Sequence, residues 1–259
     1  MSELKALEQK IISQFKLPDH INKIAAAVSG GCDSVAMLFL LNLYCKITKR
    51  RLCVFHIDHS LRTESEKDCR WVKELSKSLN VDFYSVKGTK KDLQLNHKKG
   101  VEAWAREYRY RNFAKLIEES GSDVIATGHN INDQVETIIM RLLRGSSTEG
   151  LAGIKSHKKI KISGKTINIW RPILRCQRTT LEQYLNLLDQ SWLEDKTNKS
   201  LYYFRNKIRH ELIPFLEKIR PGTDKQLLLF SEKMADIAAY LKRKANQCKK
   251  KLTKELVSV

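Results

Sequence analysis

Short apolar runs alternate with longer amphipathic segments along the first 144 residues of this chain of 259. Apolar runs of strand length predict four buried strands, at residues 24–28, 52–58, 81–86 and 123–127. Apolar positions at helical spacing predict helices around and between these strands, at residues 3–15, 34–46, 64–79, 101–119 and 131–144. Strands that alternate with helices favour an α/β fold with a doubly wound parallel sheet, which binds ligands at the carboxyl ends of its strands.

The pattern becomes less regular after residue 144. Glycine-rich residues 145–154 predict a loop, as do the polar, lysine-rich residues 87–100 before them. Weak alternation around Ser163-Gly164 predicts a β-hairpin over residues 160–170. A further helix is predicted at residues 178–188.

The last part of the chain is predicted to be mostly helical, over residues 204–259. Its proline and glycine residues predict two breaks, at Pro214 and at Pro221-Gly222. We therefore expect a catalytic domain over residues 1–216 and a short, basic helical C-terminal extension over residues 217–259.

Composition limits the classes of protein to consider. A hydrophobic fraction of 42% can form a core, and no run approaches the roughly 18 apolar residues of a membrane span. The N-terminal MSELKALEQKII carries acidic residues and lacks the apolar segment of a secretion signal. The six cysteines include no CxxC pair, which leaves a zinc ribbon, a redox motif or a cluster site with little support. We expect a cytoplasmic protein with reduced thiols and no membrane partner.

The positive charge is concentrated in the second part of the chain, and the formal net charge is +19. Residues 1–150 hold 24 Lys and Arg against 19 Asp and Glu, a net of +5, whereas residues 151–259 hold 24 against 10, a net of +14. This asymmetry favours a polyanionic partner, nucleic acid before an anionic membrane surface. A solvated basic surface is the alternative.

A glycine turn joins the first predicted strand to the helix that follows it. The turn reads Ser29-Gly30-Gly31-Cys32-Asp33-Ser34. Backbone N–H groups at the start of a helix attract an anion such as phosphate, and glycines let the backbone approach it. Asp33 would repel phosphate unless a cation lies between them, so the turn predicts pyrophosphate with Mg²⁺. An ordinary capped strand–helix turn is the alternative.

Polar side chains also follow two other predicted strands. His56 and Asp58 are expected on one face of the second strand, as a rim that holds a nucleotide or as a capped turn. His129 follows the fourth strand, and Asp133 and Glu136 share one face of the next helix. Two close carboxylates can bind Mg²⁺ or deprotonate an amine. Alternatively, they are the acidic first turn that a helix dipole favours.

Arginines are the remaining candidates for chemistry. Arg106 and Arg109 lie on the helix predicted over residues 101–119, where an arginine pair can neutralise charge on a leaving group. A solvated Glu–Arg pair on the helix surface is the alternative.

The motifs together resemble a known family. The turn SGGxDS resembles the PP-loop of the N-type ATP pyrophosphatases, which cleave ATP to AMP and pyrophosphate. The chain resembles the bacterial tRNA(Ile)-lysidine synthases in six blocks, found in this order over residues 25–214: AVSGGCDS, HIDHSLR, EAWAREYRY, ATGHNINDQVETIIMRLLRGSSTEGLAGI, RPIL and DKTNKSLYYFRNKIRHELIP. The resemblance implies the PP-loop ATPase fold, which is like that of the adenine nucleotide alpha hydrolases.

The resemblance also implies a two-step reaction. ATP adenylates the C2 carbonyl oxygen of the wobble cytidine of a tRNA(Ile) with a CAU anticodon, and pyrophosphate leaves. The ε-amine of free L-lysine then attacks C2 and displaces AMP, which forms lysidine. The implied cofactors are ATP and Mg²⁺, and the implied partners are this tRNA and lysine.

The resemblance assigns roles to individual residues. It implies that ATP is bound by the turn and the second strand end, through Ser29, Gly30, Gly31, Cys32, Asp33, Ser34, His56 and Asp58. It implies Mg²⁺ at Asp33, and lysine or metal at Asp133 and Glu136. Phosphate or the adenylated base is expected at Arg109 and His129, nucleotide or tRNA at Arg144 and at the catalytic candidate Arg205, and tRNA at Arg209.

The chain departs from the family at its C-terminal side. Many members carry long C-terminal domains that grip the tRNA acceptor stem, whereas about 45 residues follow Pro214 here. We expect the extension to be a reduced tRNA-binding segment or a homodimer contact. A cluster-free PP-loop tRNA thiolase and a non-catalytic RNA-binding protein of the same fold stay open as alternatives.

Overall fold

The predicted alternation of strands and helices produces a six-stranded sheet in the computed structural model. The structure describes residues 3–58, 65–88, 101–162, 164–194 and 204–257. It divides into two units: a sheet unit, Met1–Asn130 with Ser156–Asp195, and a helical unit, Ile131–Lys155 with Lys196–Val259. The predicted boundary at residues 216 and 217 lies within one helix of the helical unit and stays a prediction.

The sheet unit contains all six strands. In chain order they are β1 (Lys23–Ala27), β2 (Arg51–Asp58), β3 (Asp82–Lys87), β4 (Val124–Thr127), β5 (His157–Ile162) and β6 (Lys165–Trp170). Their order across the sheet is β3-β2-β1-β4-β6-β5. Every pairing is parallel except that of β5 with β6, which form the predicted hairpin. The doubly wound parallel sheet is confirmed, with one antiparallel edge strand.

Helices cover both faces of this sheet. The helices of the sheet unit are α1 (Glu3–Ile12), α2 (Cys32–Thr48), α3 (Ser65–Ser78), α4 (Val101–Ser120) and α7 (Arg178–Leu187). Successive residues of β1 point to opposite faces, because side chains alternate along a strand. Ile24 and Ala26 belong to the core with α2 and α7, whereas Ala25 belongs to the core with Phe113 of α4. Burial on both faces explains why β1 is a continuous apolar run.

The helical unit is built around a smaller apolar core. Its helices are α5 (Ile131–Leu143), α6 (Thr148–Leu151), α8 (Phe204–Lys207), α9 (Ile213–Ile219) and α10 (Thr223–Val257), with a π-helical segment Ile208–Leu212 between α8 and α9. Val135 and Ile139, one helical turn apart on α5, pack with Ile208 of the π-helical segment. Among the described residues, no helix has both the length and the apolar character that crossing a bilayer requires.

Most predicted elements are present, with shifts of a few residues at their ends. The loop predicted over 145–154 contains the short helix α6. Pro214 does not end a helix: it lies in the first turn of α9, directly after the π-helical segment. The predicted break at Pro221-Gly222 is confirmed, since α10 begins at Thr223. Most of the loop predicted over 87–100, and residues 195–203 of the block DKTNKSLYYFRNKIRHELIP, lie outside the described residues.

Candidate active site

The glycine turn lies between the end of β1 and the start of α2. Gly30 has a φ of +95°, a conformation that favours glycine, and its carbonyl oxygen accepts from the N–H of Leu193 at 2.9 Å. A Cβ atom at Gly30 would lie 2.6 Å from Leu193 Cδ1. Gly31 is the N-cap residue of α2 and has no side chain to occupy the first N–H groups of that helix. The turn therefore presents backbone donors at the start of a buried helix, as an anion site needs.

The Ser34 hydroxyl stabilises the turn from inside. Its Oγ donates to the Gly31 carbonyl oxygen at 2.8 Å and accepts from the Ser29 N–H at 3.2 Å. The Ser29 and Ser34 hydroxyl oxygens are 3.3 Å apart. Ser34 is buried, so it fixes the shape of the turn, and its predicted contact with a phosphate stays a prediction.

Cys32 and Asp33 begin α2 in different environments. The Cys32 side chain is buried, and burial, followed by the charge of Asp33, raises the pKa of its thiol to about 12. Asp33 keeps 23% of its side-chain exposure and its Oδ2 lies 3.5 Å from Nη1 of Arg178. The thiol is therefore protonated at neutral pH, whereas the neighbouring carboxylate faces a positive charge.

The ends of β2 and β4 lie on either side of the glycine turn, because both strands pair with β1 in parallel. His56 Nδ1 donates to the Val28 carbonyl oxygen at 2.9 Å, and burial lowers the pKa of this ring. His129 Nδ1 lies 2.9 Å from the Thr127 hydroxyl. A Cβ at Gly128 would come within 3.1 Å of the Ser34 nitrogen. Residues 29–34, 56–58 and 128–130 thus lie at or directly after the ends of three adjacent parallel strands, at one edge of the sheet.

A cluster of two carboxylates and two guanidinium groups lies in the helical unit. Arg205 donates from Nη2 to Asp133 Oδ1 and from Nε to Glu136 Oε2, both at 2.6 Å. Arg209 donates from Nε to Glu136 Oε1 at 2.5 Å and from Nη2 to Oε2 at 3.1 Å. The Glu136 side chain has 0% exposure, against 17% for Asp133. The carboxylates share one helix face, as predicted, and the arginines occupy that face with them.

The comparisons with known proteins identify the family. A family model described as "PP-loop domain" matches residues 4–216. The chain belongs to the PP-loop family. The chain is similar to proteins named tRNA(Ile)-lysidine synthase: 33% identical to that of Petrotoga mobilis over 82% of this chain and 66% of the relative. It is 36% identical to that of Clostridium perfringens over 94% of this chain and 49% of the relative.

This PP-loop chain spans only part of the length of the relatives reported above. It spans 53% of the Thermosipho africanus tRNA(Ile)-lysidine synthase, to which it is 31% identical over 91% of its own length. Its fold resembles that of the U34-tRNA thiolase NcsA from Methanococcus maripaludis, with a TM-score of 0.73, 18% identity and coverage of 90% and 80% of the two chains. That likeness concerns the fold alone.

The structure adds residues to the PP-loop site that the sequence analysis did not select. Arg178 contacts Asp33, Leu193 covers Gly30, and Gly128 allows the backbone after β4 to approach α2. Arg178 begins the helix that follows β6, and this position after a strand is the sequence feature that could have identified it. Of the predicted arginines, Arg109 is exposed on α4, and the guanidinium of Arg144 lies 6.0 Å from the ring of Phe204.

Proposed function

We propose that this protein joins L-lysine to the wobble cytidine of a tRNA(Ile) with a CAU anticodon. In the first step the C2 carbonyl oxygen attacks the α-phosphate of ATP, and the bond to pyrophosphate breaks. In the second step the lysine ε-amine forms a bond to C2, the C2–oxygen bond breaks, and AMP leaves with that oxygen. The similarity to lysidine synthases over most of this chain supports this choice among PP-loop reactions.

ATP binds in this proposal at the glycine turn of the sheet unit. The backbone N–H groups at the start of α2 face the phosphates, aided by the positive end of the helix dipole. Gly30 supplies the left-handed φ that the turn requires, and Leu193 packs where a side chain at this position would lie. His56 and Asp58, both buried at the end of β2, line the nucleotide side of the sheet edge in this proposal, and His56 also supports the turn through its bond to the Val28 carbonyl oxygen.

The donor set at the turn fits a magnesium ion held mainly by phosphates. Among the described residues, no three His, Cys, Asp or Glu side chains are grouped as a metal site. Mg²⁺ commonly takes one or two carboxylates together with substrate phosphates and water, and Asp33 supplies one carboxylate beside the turn. A bound Mg²⁺ would neutralise charge on the pyrophosphate that leaves. Asp33 is the residue we assign to hold it.

Lysine binds at the helical unit in this proposal, and one observation carries the assignment. Arg205 bridges Asp133 and Glu136, which joins two blocks of the family resemblance that are about 70 residues apart in sequence. Asp133 is the more exposed of the two carboxylates, so it is the one that accepts a hydrogen bond from the lysine amine. Glu136 is enclosed by both arginines and holds them in place.

The charge balance of this cluster favours attack by the amine. Lysine ordinarily has a pKa of about 10.4, so its amine must lose a proton before it reacts. The two guanidinium groups offset the two carboxylates, so the cluster does not strongly favour the charged form of a bound lysine. Asp133 then receives the proton as the new C–N bond forms.

The first experiment measures transfer of radiolabelled lysine to a tRNA(Ile) transcript with a CAU anticodon, with and without ATP. We expect transfer that requires ATP, AMP as a product, and a loss of at least about 100-fold in Asp133→Asn. Asp236→Asn removes an exposed carboxylate of α10 in the same unit and is the matched control. A methionine tRNA with the same anticodon tests selectivity.

Two outcomes would favour the alternatives. ATP-dependent release of pyrophosphate without lysine transfer keeps an adenylating PP-loop enzyme but requires another nucleophile, such as the sulfur donor of a thiolase. Binding of tRNA without any turnover of ATP favours an RNA-binding protein, in which Asp33, Asp133 and Glu136 are dispensable.

A further inference from the structure

Arg178 is placed beside the glycine turn by the topology of the sheet unit. It is the first residue of α7, which follows β6 after the segment 171–177. β6 runs parallel to β4, so its carboxyl end lies at the same edge of the sheet as the ends of β1, β2 and β4. A fourth strand end therefore contributes to the proposed ATP site.

The side chain of Arg178 is held in a definite position. Its Nε donates to Glu182 Oε1 at 2.9 Å, one turn along α7. Its Nη1 lies 3.5 Å from Asp33 Oδ2, and its charge also acts on Cys32 at the start of α2. The side chain is 42% exposed, so a ligand at the turn can reach the guanidinium. Glu182 contacts Nε of the guanidinium, and Nη1 is directed toward Asp33 in the turn.

We infer that Arg178 is a phosphate-positioning residue. Its guanidinium contacts Asp33 before ATP binds, and contacts the β- and γ-phosphates instead once ATP binds with its cation. A cation at Asp33 repels a guanidinium 3.5 Å away, whereas phosphate oxygens attract it. The planar guanidinium of arginine suits phosphate oxygens. The hydrogen bond from Nε to Glu182 holds the side chain in place while the Nη groups change partner. This inference rests on the proposed binding of ATP at the glycine turn.

A comparison of ATP with AMP tests the inference, because AMP lacks both phosphates that Arg178 would contact. Equilibrium affinities are measured with Mg²⁺ present and with neither lysine nor tRNA. In Arg178→Gln we expect ATP affinity to fall at least tenfold while AMP affinity stays within twofold. Arg178→Lys keeps the charge and should recover part of the loss. Arg175→Gln removes an exposed arginine three residues away and should change neither affinity.

Two results would overturn the role of Arg178. Equal losses of ATP and AMP affinity would indicate that the arginine only supports the fold of the turn, and unchanged affinities would remove it from the site. Thermal unfolding of each variant identifies a folding defect separately. Because lysine and tRNA are absent, an Arg178-dependent ATP site without lysine transfer would contradict the proposed reaction and leave this inference standing.

Discussion

Arg209 holds the Glu136 carboxylate with two hydrogen bonds, from Nε to Oε1 at 2.5 Å and from Nη2 to Oε2 at 3.1 Å. Arg205 adds a third bond to the same carboxylate, from its Nε at 2.6 Å. Such a buried acid depends on its partners, because a carboxylate without exposure to water is costly unless charged donors compensate it. Glu136 therefore lies in a different environment from Asp133, although the two residues are one turn apart.

Replacing Glu136 should affect stability more than replacing Asp133. Glu136→Gln leaves two arginines facing a neutral amide, and breaking a buried pair by changing one partner costs about 3 kcal/mol. Asp133→Asn changes a partly exposed group and should cost about 1 kcal/mol or less. Urea unfolding of both variants and the wild type measures these differences.

Lysine transfer by the two variants should not follow their stability. We expect Asp133→Asn to lose lysine transfer while keeping most of its stability, since it removes the more exposed carboxylate of the pair. A Glu136→Gln variant as stable as the wild type, with lysine transfer abolished, would contradict the assignment and make Glu136 the substrate-facing acid.

The conformation of Gly30 should be essential to the site. An alanine at this position meets two penalties: a left-handed φ of +95°, worth about 1 kcal/mol, and a Cβ contact of 2.6 Å with Leu193 Cδ1. We expect Gly30→Ala to lower the free energy of unfolding by about 1–3 kcal/mol and to weaken ATP binding. Chemical denaturation and ATP titration provide the two measurements.

Two companion variants separate the penalties. Gly164→Ala has a φ of +77° and open space around the added methyl group, so it should show the conformational cost alone, with normal ATP affinity. Leu193→Ala combined with Gly30→Ala removes the clash and should recover part of the stability. No recovery in the double variant would mean that the contact with Leu193 does not limit the turn.

The sheet could be predicted from the sequence because burial on both faces leaves a direct signal. The apolar runs at β1, β2 and β4 are bounded by polar residues, and their order with the helices fixes a doubly wound topology. The π-helical segment Ile208–Leu212 could not be predicted, since it depends on which carbonyl oxygens the backbone N–H groups choose, as in the bond from the Ile213 N–H to the Ile208 carbonyl oxygen. No residue type signals that choice.

The candidate site was predictable only in part. Residues beside strand ends were selected because topology brings such ends together, and this is how the glycine turn, His56 and His129 were found. Arg178 was not selected, because its contact with Asp33 spans 145 positions and depends on the packing of α7 against α2. The enclosure of Glu136 by two arginines was missed for the same reason: spacing shows that carboxylates share a face, not what covers them.

Cys32 should be unreactive despite its place in the glycine turn. Burial, followed by the charge of Asp33, raises the pKa of its thiol to about 12, and only the thiolate reacts. At pH 8 we expect iodoacetamide to label the exposed Cys248 at least about 100-fold faster than Cys32. Mass spectrometry of the labelled peptides measures both rates. Rapid labelling of Cys32, with loss of activity in Cys32→Ala, would favour a thiolase.

Protonation of His56 should destabilise the protein at mildly acidic pH. Burial lowers the pKa of this ring from its ordinary value of 6.5, and Nδ1 donates to the Val28 carbonyl oxygen. Between pH 7 and the lowered pKa, the unfolded chain therefore binds more protons than the folded one. The contribution of His56 to stability is complete above about pH 7 and is lost as the pH falls through the unfolded value toward the folded one.

His56→Asn tests this pH dependence, because an amide N–H can replace the Nδ1–H donor but does not titrate. Urea unfolding from pH 5.5 to 8 should show a shallower loss of stability below pH 7 in the variant than in the wild type. Burial also lowers the pKa of His157, so His157→Gln is measured in parallel to determine how much of the pH dependence of stability comes from that residue. If His56→Asn keeps the full slope of the wild type, the ring is accessible to protons in the folded protein. It would then be free to face the nucleotide in its charged form, and its role at the turn would be electrostatic and not structural.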